Sequence, residues 1–104
     1  MAQVDLLVLS VVSRRPAHGY AIVEALREGS AGAFDLPEGT VYPALYRLVR
    51  RGLLASRAHV VAGRNRRVYR VTAQGRAALT ERTRAWDTFA RGVHAILKGA
   101  PARA

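Results

Sequence analysis

Arg64, Arg66, Arg67 and Arg70 fall within seven consecutive positions, with no acidic residue among them. Four guanidiniums so close together repel one another unless an anion lies among them. Each presents a fork of donors that matches the oxygens of a phosphate, so the cluster points to a polyphosphate partner. A second set of groups lies upstream. Val41, Leu45 and Leu48 recur at the i, i+4, i+7 spacing of one helical face. At roughly 100° per residue the opposite face carries Gly39, Pro43, Tyr46 and Arg50, flanked by Thr40, Tyr42 and Arg47. An arginine can donate two bonds to a guanine edge. Thr and Tyr hydroxyls hold phosphates, and a glycine lets the backbone come close. The free N–H groups at the start of such a helix favour an anion as well.

Other chemistries lack their residues. There is no cysteine, and His18, His59 and His94 are scattered. None has a carboxylate at a helical spacing that suggests a metal or catalytic pair. No phosphate-binding glycine loop, nucleophile motif or pair of catalytic carboxylates occurs. The expectation is a protein that is not an enzyme and needs no metal and no cofactor.

Charge agrees with a nucleic-acid partner. Seventeen Lys and Arg face seven Asp and Glu, for a formal net charge of +10, and every basic residue but Lys98 is arginine. Such a field draws polyanions, chiefly nucleic acid or an anionic membrane surface. The apolar run Val4–Val12 is interrupted by Asp5 and Ser10 and has no basic start, so it does not read as a leader. No segment is long enough to span a bilayer. A cytoplasmic protein without a membrane partner is expected.

The elements that must position these groups follow from periodicity and stop signals. Val4–Ser13 is dense in Leu and Val and predicts a buried helix, ended by Arg14, Arg15 and Pro16. Ala17 to about Glu28 predicts a second helix, stopped by the small residues 29–32. Glu38–Arg51 is the third, with Gly52 as its stop. Pro43 falls in the first turns, where a missing N–H costs little. Leu53–Val61 and Arg66–Val71 predict a hairpin turning at Gly63–Asn65. Thr72 caps a last helix from Ala73 to about Leu97. The fold class is mainly α with a small β-hairpin (α+β): a winged helix-turn-helix over residues 1–72, a dimerisation helix over 73–98, and a tail over 99–104.

Three segments resemble one family. They are His18-Gly19-Tyr20-Ala21-Ile22, then Gly39-Thr40-Val41-Tyr42-Pro43-Ala44-Leu45 with Arg47-Leu48 and Gly52-Leu53-Leu54, and Gly63-Arg64 through Arg67-Val68-Tyr69-Arg70-Val71-Thr72 with Gly75. The chain resembles the PadR-family transcriptional regulators of the short type, with a single C-terminal helix. The middle segment is the most specific. The resemblance implies a repressor that binds a palindromic operator on double-stranded DNA as a dimer. It implies contacts from Thr40, Tyr42, Pro43 and Arg47, from Tyr20, and from the wing at Arg64, Arg66 and Arg67. Two mild departures are Val41, where Leu is usual, and Val68-Tyr69, where a double aromatic is usual. Two other readings are a winged-helix module that docks protein, and a basic RNA- or ribosome-associated protein. The arginine-dense wing argues against the first. The absence of aromatic platforms and lysine tails argues against the second.

The last helix carries Leu79, Arg82, Trp86, Phe89, Val93 and Ile96 at alternating steps of three and four, a heptad seam. A small domain has too little core to cover Trp86 and Phe89. The expected homodimer interface is therefore Leu79, Trp86, Phe89, Val93 and Ile96, with the partner's first helix nearby. The resemblance also implies a small planar aromatic effector, often cationic, between such helices. An indole face can stack on a flat ring or hold a cation, which makes Trp86 and Phe89 the candidate ligand-binding pair; the favoured reading of a single Trp is that it is simply dimer core.

Overall fold

A computed structural model of the chain describes residues 1–99. The expected tail, apart from Gly99, lies outside the described residues. The order is α1 (Gln3–Arg14), β1 (Ala17–His18), α2 (Gly19–Gly29), α3 (Glu38–Arg50), β2 (Leu54–Val61), β3 (Arg64–Val71) and α4 (Ala73–Leu97). The expected class holds: helices on one small antiparallel sheet.

The core is built from the apolar stripes of three helices. Val8, Leu9 and Val12 of α1, Ile22 and Leu26 of α2, and Val41, Ala44, Leu45 and Leu48 of α3 are buried together with Leu53, Leu54 and Tyr69. The α3 positions follow the 3.6-residue period, so its opposite face is left to solvent. No helix among the described residues is long and apolar enough to cross a membrane.

The sheet corrects the expected two-stranded hairpin. It has three strands in the order β1-β3-β2. Pro16 cannot follow a helical residue comfortably, and Arg15 is extended at φ −168°, ψ 152°. The chain therefore enters Ala17 and His18 in an extended form, and they pair with Tyr69 and Val68 of β3. His18 then caps α2, its Nδ1 accepting from the Ala21 N–H at 3.4 Å, so that helix starts at Gly19 rather than Ala17. The turn is also shifted. It lies at Ala62–Gly63, both in the left-handed region (φ 51° and 75°), with Val61 opposite Arg64. Positive φ at both central residues gives the twist that a tight two-residue hairpin needs. The return strand thus begins at Arg64, two residues earlier than expected.

One joint sets the direction of α4. The Thr72 hydroxyl caps the helix by accepting from the Gly75 N–H at 3.0 Å and donates to the Gly52 carbonyl at 2.7 Å. The Thr72 N–H donates to the Leu53 carbonyl at 3.1 Å. The root of α4 is thereby fixed to the corner that follows α3. Beyond the root the helix leaves the body. The radius of gyration is 16.4 Å, against about 13 Å for a compact chain of this length. Trp86, Phe89, Val93, Ile96 and Leu97 are exposed along it. Leu79, expected in the dimer seam, is half-buried and packs against the chain's own core, because the first turns of α4 rest on the body. The open seam starts at Trp86.

Candidate nucleic-acid interface

The outward face of α3 is a direct product of its buried one. With Val41, Ala44, Leu45 and Leu48 inside, Gly39, Tyr42, Pro43, Tyr46 and Arg50 are exposed and Thr40 is half-buried. Pro43 stands past the first turn, which corrects the expectation that its missing N–H is nearly free. The bond lost is the one to the Gly39 carbonyl, against which the proline ring also presses. A glycine four residues earlier, on the exposed side, is the residue whose backbone yields most easily there. Tyr46 and Arg50 form a unit: the Arg50 guanidinium donates to the Tyr46 hydroxyl at 3.2 Å and lies 5.7 Å from its ring centre.

Arg47, on the flank of the outward face, is exposed and is also ion-paired. Its Nε and a terminal nitrogen donate to the two carboxylate oxygens of Asp5, at 3.2 and 2.6 Å. Its side chain remains 44% exposed, while that of Asp5 is 1% exposed. The carboxylate holds the guanidinium pKa further above its already high value.

Three elements meet in a cleft of about 300 Å³, lined by His18, Gly19, Tyr20, Tyr42, Tyr69 and residues 64–67. It joins the start of α2, the first turns of α3 and the wing. Tyr42 lies directly over Gly19; a Cβ there would stand only 2.5–2.6 Å from the phenol ring. Glycine is thus what allows Tyr42 to sit at the cleft with its ring half covered. Tyr20 is exposed, and the Glu24 carboxylate one turn along, as acceptor and as nearby charge, raises its phenol pKa. Tyr69 closes the floor, and burial raises its pKa. Both phenols therefore stay neutral hydroxyls at physiological pH.

On the wing, strand alternation puts Arg64, Arg66 and Arg70 on one face and Arg67 on the other, beside Tyr69. Arg64, Arg67 and Arg70 are exposed and Arg66 is half-buried. Arg67 donates to the Ser56 hydroxyl at 3.2 Å, which holds it along the ribbon. The register adds two groups that sequence reasoning missed: Arg57 lies opposite Val68, and His59 opposite Arg66. Alternation places Arg57 on the Arg66 and Arg70 face. Its signal was present only as one basic residue in a strand, with nothing nearby to mark it.

At the far end, Trp86 and Phe89 stack at a tilt, with ring centroids 5.8 Å apart and planes at 42°. Phe89, Val93, Ile96 and Leu97 line an open apolar groove. Among the described residues, no group of His, Cys, Asp and Glu is placed to hold a metal.

Residues 8–81 match the model of the Transcriptional regulator PadR-like family. The chain belongs to that family. PadR-like proteins are transcriptional regulators rather than enzymes. This one is 45% identical over 92 residues to the transcriptional regulator Rv3488 of Mycobacterium tuberculosis, spanning 88% of this chain and 83% of the relative. A PadR family transcriptional regulator from Eggerthella lenta is 35% identical, with a TM-score of 0.81, and covers 91% of this chain and 81% of its own. Bacillus subtilis PadR, whose crystal structure is in complex with operator DNA, shares the fold at 18% identity. That likeness has a TM-score of 0.71 over 77% of this chain and 46% of the other. The winged helix of this PadR-like chain thus has counterparts along nearly its whole described length.

Proposed function

We propose that this PadR-like protein binds double-stranded DNA as a homodimer and represses transcription from the sites it covers. One observation carries the DNA reading. Tyr42 of α3, Tyr20 and the wing residues Arg64, Arg66 and Arg67 line one cleft, and the rest of the outward face of α3 is exposed, on a chain of net charge +10. In this reading α3 enters the major groove with Tyr46 and Arg50 toward the bases. Thr40, Tyr42 and Tyr20 hold phosphates, and Gly39 and Pro43 shape the close approach. Arg64, Arg66 and Arg67 straddle the adjacent minor groove. Repression follows from occupancy, since a protein seated across an operator excludes others from the same DNA. The protein acts in the cytoplasm, with the chromosome. Its working parts are the winged helix of residues 1–72 and the dimerisation helix of 73–98.

The test is a gel shift with the DNA upstream of its own gene against a scrambled duplex. Selective binding of the upstream duplex, weakening steeply with salt, is expected; equal affinity for the two duplexes would overturn sequence-specific regulation.

The exposed seam from Trp86 to Ile96 supports the dimer. A two-fold axis there would set two α3 helices about one DNA turn apart, to match an inverted repeat. Leu79, half-buried against the body, lies at the inner end of this seam. The tilted Trp86–Phe89 pair is the surface we assign to a planar aromatic effector whose binding releases DNA. Phe89→Asp puts a charge in the middle of the seam, where desolvation opposes pairing. It should sediment as a monomer at micromolar concentration, where the unmodified chain is a dimer. A planar cationic dye should quench Trp86 in the dimer and not in the variant. A variant that stays dimeric would show the seam to be elsewhere.

A further inference from the structure

We infer that Arg47 is a positioning residue, which sets α3 for DNA through Asp5 and α1 and gives up no bond to DNA itself. This rests on the DNA reading above. Asp5 is the buried charged side chain among the described residues. Both its oxygens are taken by Arg47, as parallel bonds of one fork, and every buried side-chain polar atom described has a partner. A phosphate or a guanine that captured the Nε and Nη2 donors of this fork would strand that carboxylate out of water. An unpaired buried charge is among the costliest defects a fold can carry. The donors of that fork are therefore spoken for, although nearly half of the Arg47 side chain is open to solvent.

The placement gives the pair its function. Asp5 stands in the first turn of α1 and Arg47 in the last turns of α3. α1 packs against α2, α3 and α4. The bond thus fixes the rotation of α3 about its own axis relative to the helix that touches all the others. Tyr46 and Arg50 lie one residue before and three residues after Arg47. A small roll of α3 would carry both across the groove.

The two roles for Arg47 predict effects of opposite sign in Asp5→Asn. Freed from its carboxylate, a DNA-binding Arg47 would bind DNA more tightly and with a steeper salt slope. A positioning Arg47 loses its reference point instead. We expect Asp5→Asn to bind the upstream duplex about tenfold more weakly, to bind the scrambled duplex as before, and to keep its salt slope. A second variant guards against loss of fold. Asp5→Leu combined with Arg47→Leu replaces the ion pair by apolar groups, a change that buried pairs often tolerate. It should bind the scrambled duplex with unchanged slope. A slope lower by about 0.9 for each arginine removed would mark a phosphate contact and overturn the inference. So would Asp5→Asn binding as tightly as the unmodified chain or tighter. If the unmodified chain binds neither duplex, the inference falls with the DNA reading on which it rests.

Discussion

Gly75→Ala should destabilise the protein by about 2–3 kcal/mol, although alanine is the better helix former. An alanine in an exposed helix interior gains about 1 kcal/mol over glycine. Here that gain is outweighed. A Cβ at position 75 would overlap the Leu53 carbonyl oxygen and press on a methyl of Val71. Inserting a methyl into a closed site costs about 1–3 kcal/mol and sometimes more. The cost is at the upper end because the obstacle is backbone. The same carbonyl accepts from the Thr72 N–H, so moving it away also opens the joint that caps α4. Thermal or urea unfolding should show the loss. Gly92→Ala, in the same helix with nothing within 4 Å of its Cβ, is the matched control and should be neutral or stabilising. Equal stability of the two variants would mean that α4 is not seated on the corner after α3 as described.

The second large effect is on DNA. Replacing Arg64, Arg66 and Arg67 by Ala should weaken binding by about a thousandfold or more near 0.1 M salt, on the upstream and scrambled duplexes alike. Three arginines per protomer put six guanidiniums beside the duplex in a dimer. Each phosphate neutralised contributes about 0.9 to the slope of log affinity against log salt. The slope should therefore fall by roughly 3 to 5, the lower figure allowing for Arg66, which is half-buried, and Arg67, which also bonds Ser56. Stability should change little, because these side chains lie outside the core. By contrast, Tyr46→Phe or Arg50→Lys should change the preference between duplexes more than the salt slope. A triple variant with unaltered slope would remove the wing from the interface.

How much of this was written in the sequence differs from element to element. The two faces of α3 were legible because a single stripe at helical spacing fixes both at once. The long α4 was legible because Thr72 marks its start and the heptad runs on past it. The strand Ala17–His18 was not. Two residues show no alternation, and what makes them a strand is a pairing with Val68 and Tyr69 some fifty residues away. The turn was misplaced because alanine at φ 51° carries no turn signal of its own; the tight register between Val61 and Arg64 imposes it. The ion pair of Arg47 was hidden for the same kind of reason. A helical wheel shows which way a side chain leaves the helix but not what waits there, and Asp5 lies 42 residues away in the chain. The cleft was only partly legible. Tyr42 over Gly19 depends on a missing Cβ, which becomes meaningful once α2 and α3 are packed.

The short strand β1 has a mechanical consequence. It flanks β3 only at Val68 and Tyr69, while β2 runs beside β3 all the way to Arg64. The ribbon is therefore clamped on both sides at its base and free on one side along its outer half, which makes it a cantilever. Bending will concentrate beyond Val68, where Arg64, Arg66 and Arg67 ride, and spare Arg70 and the root of α4. The span that must follow a groove of changing width is the compliant one, and the span that carries the helices is stiff.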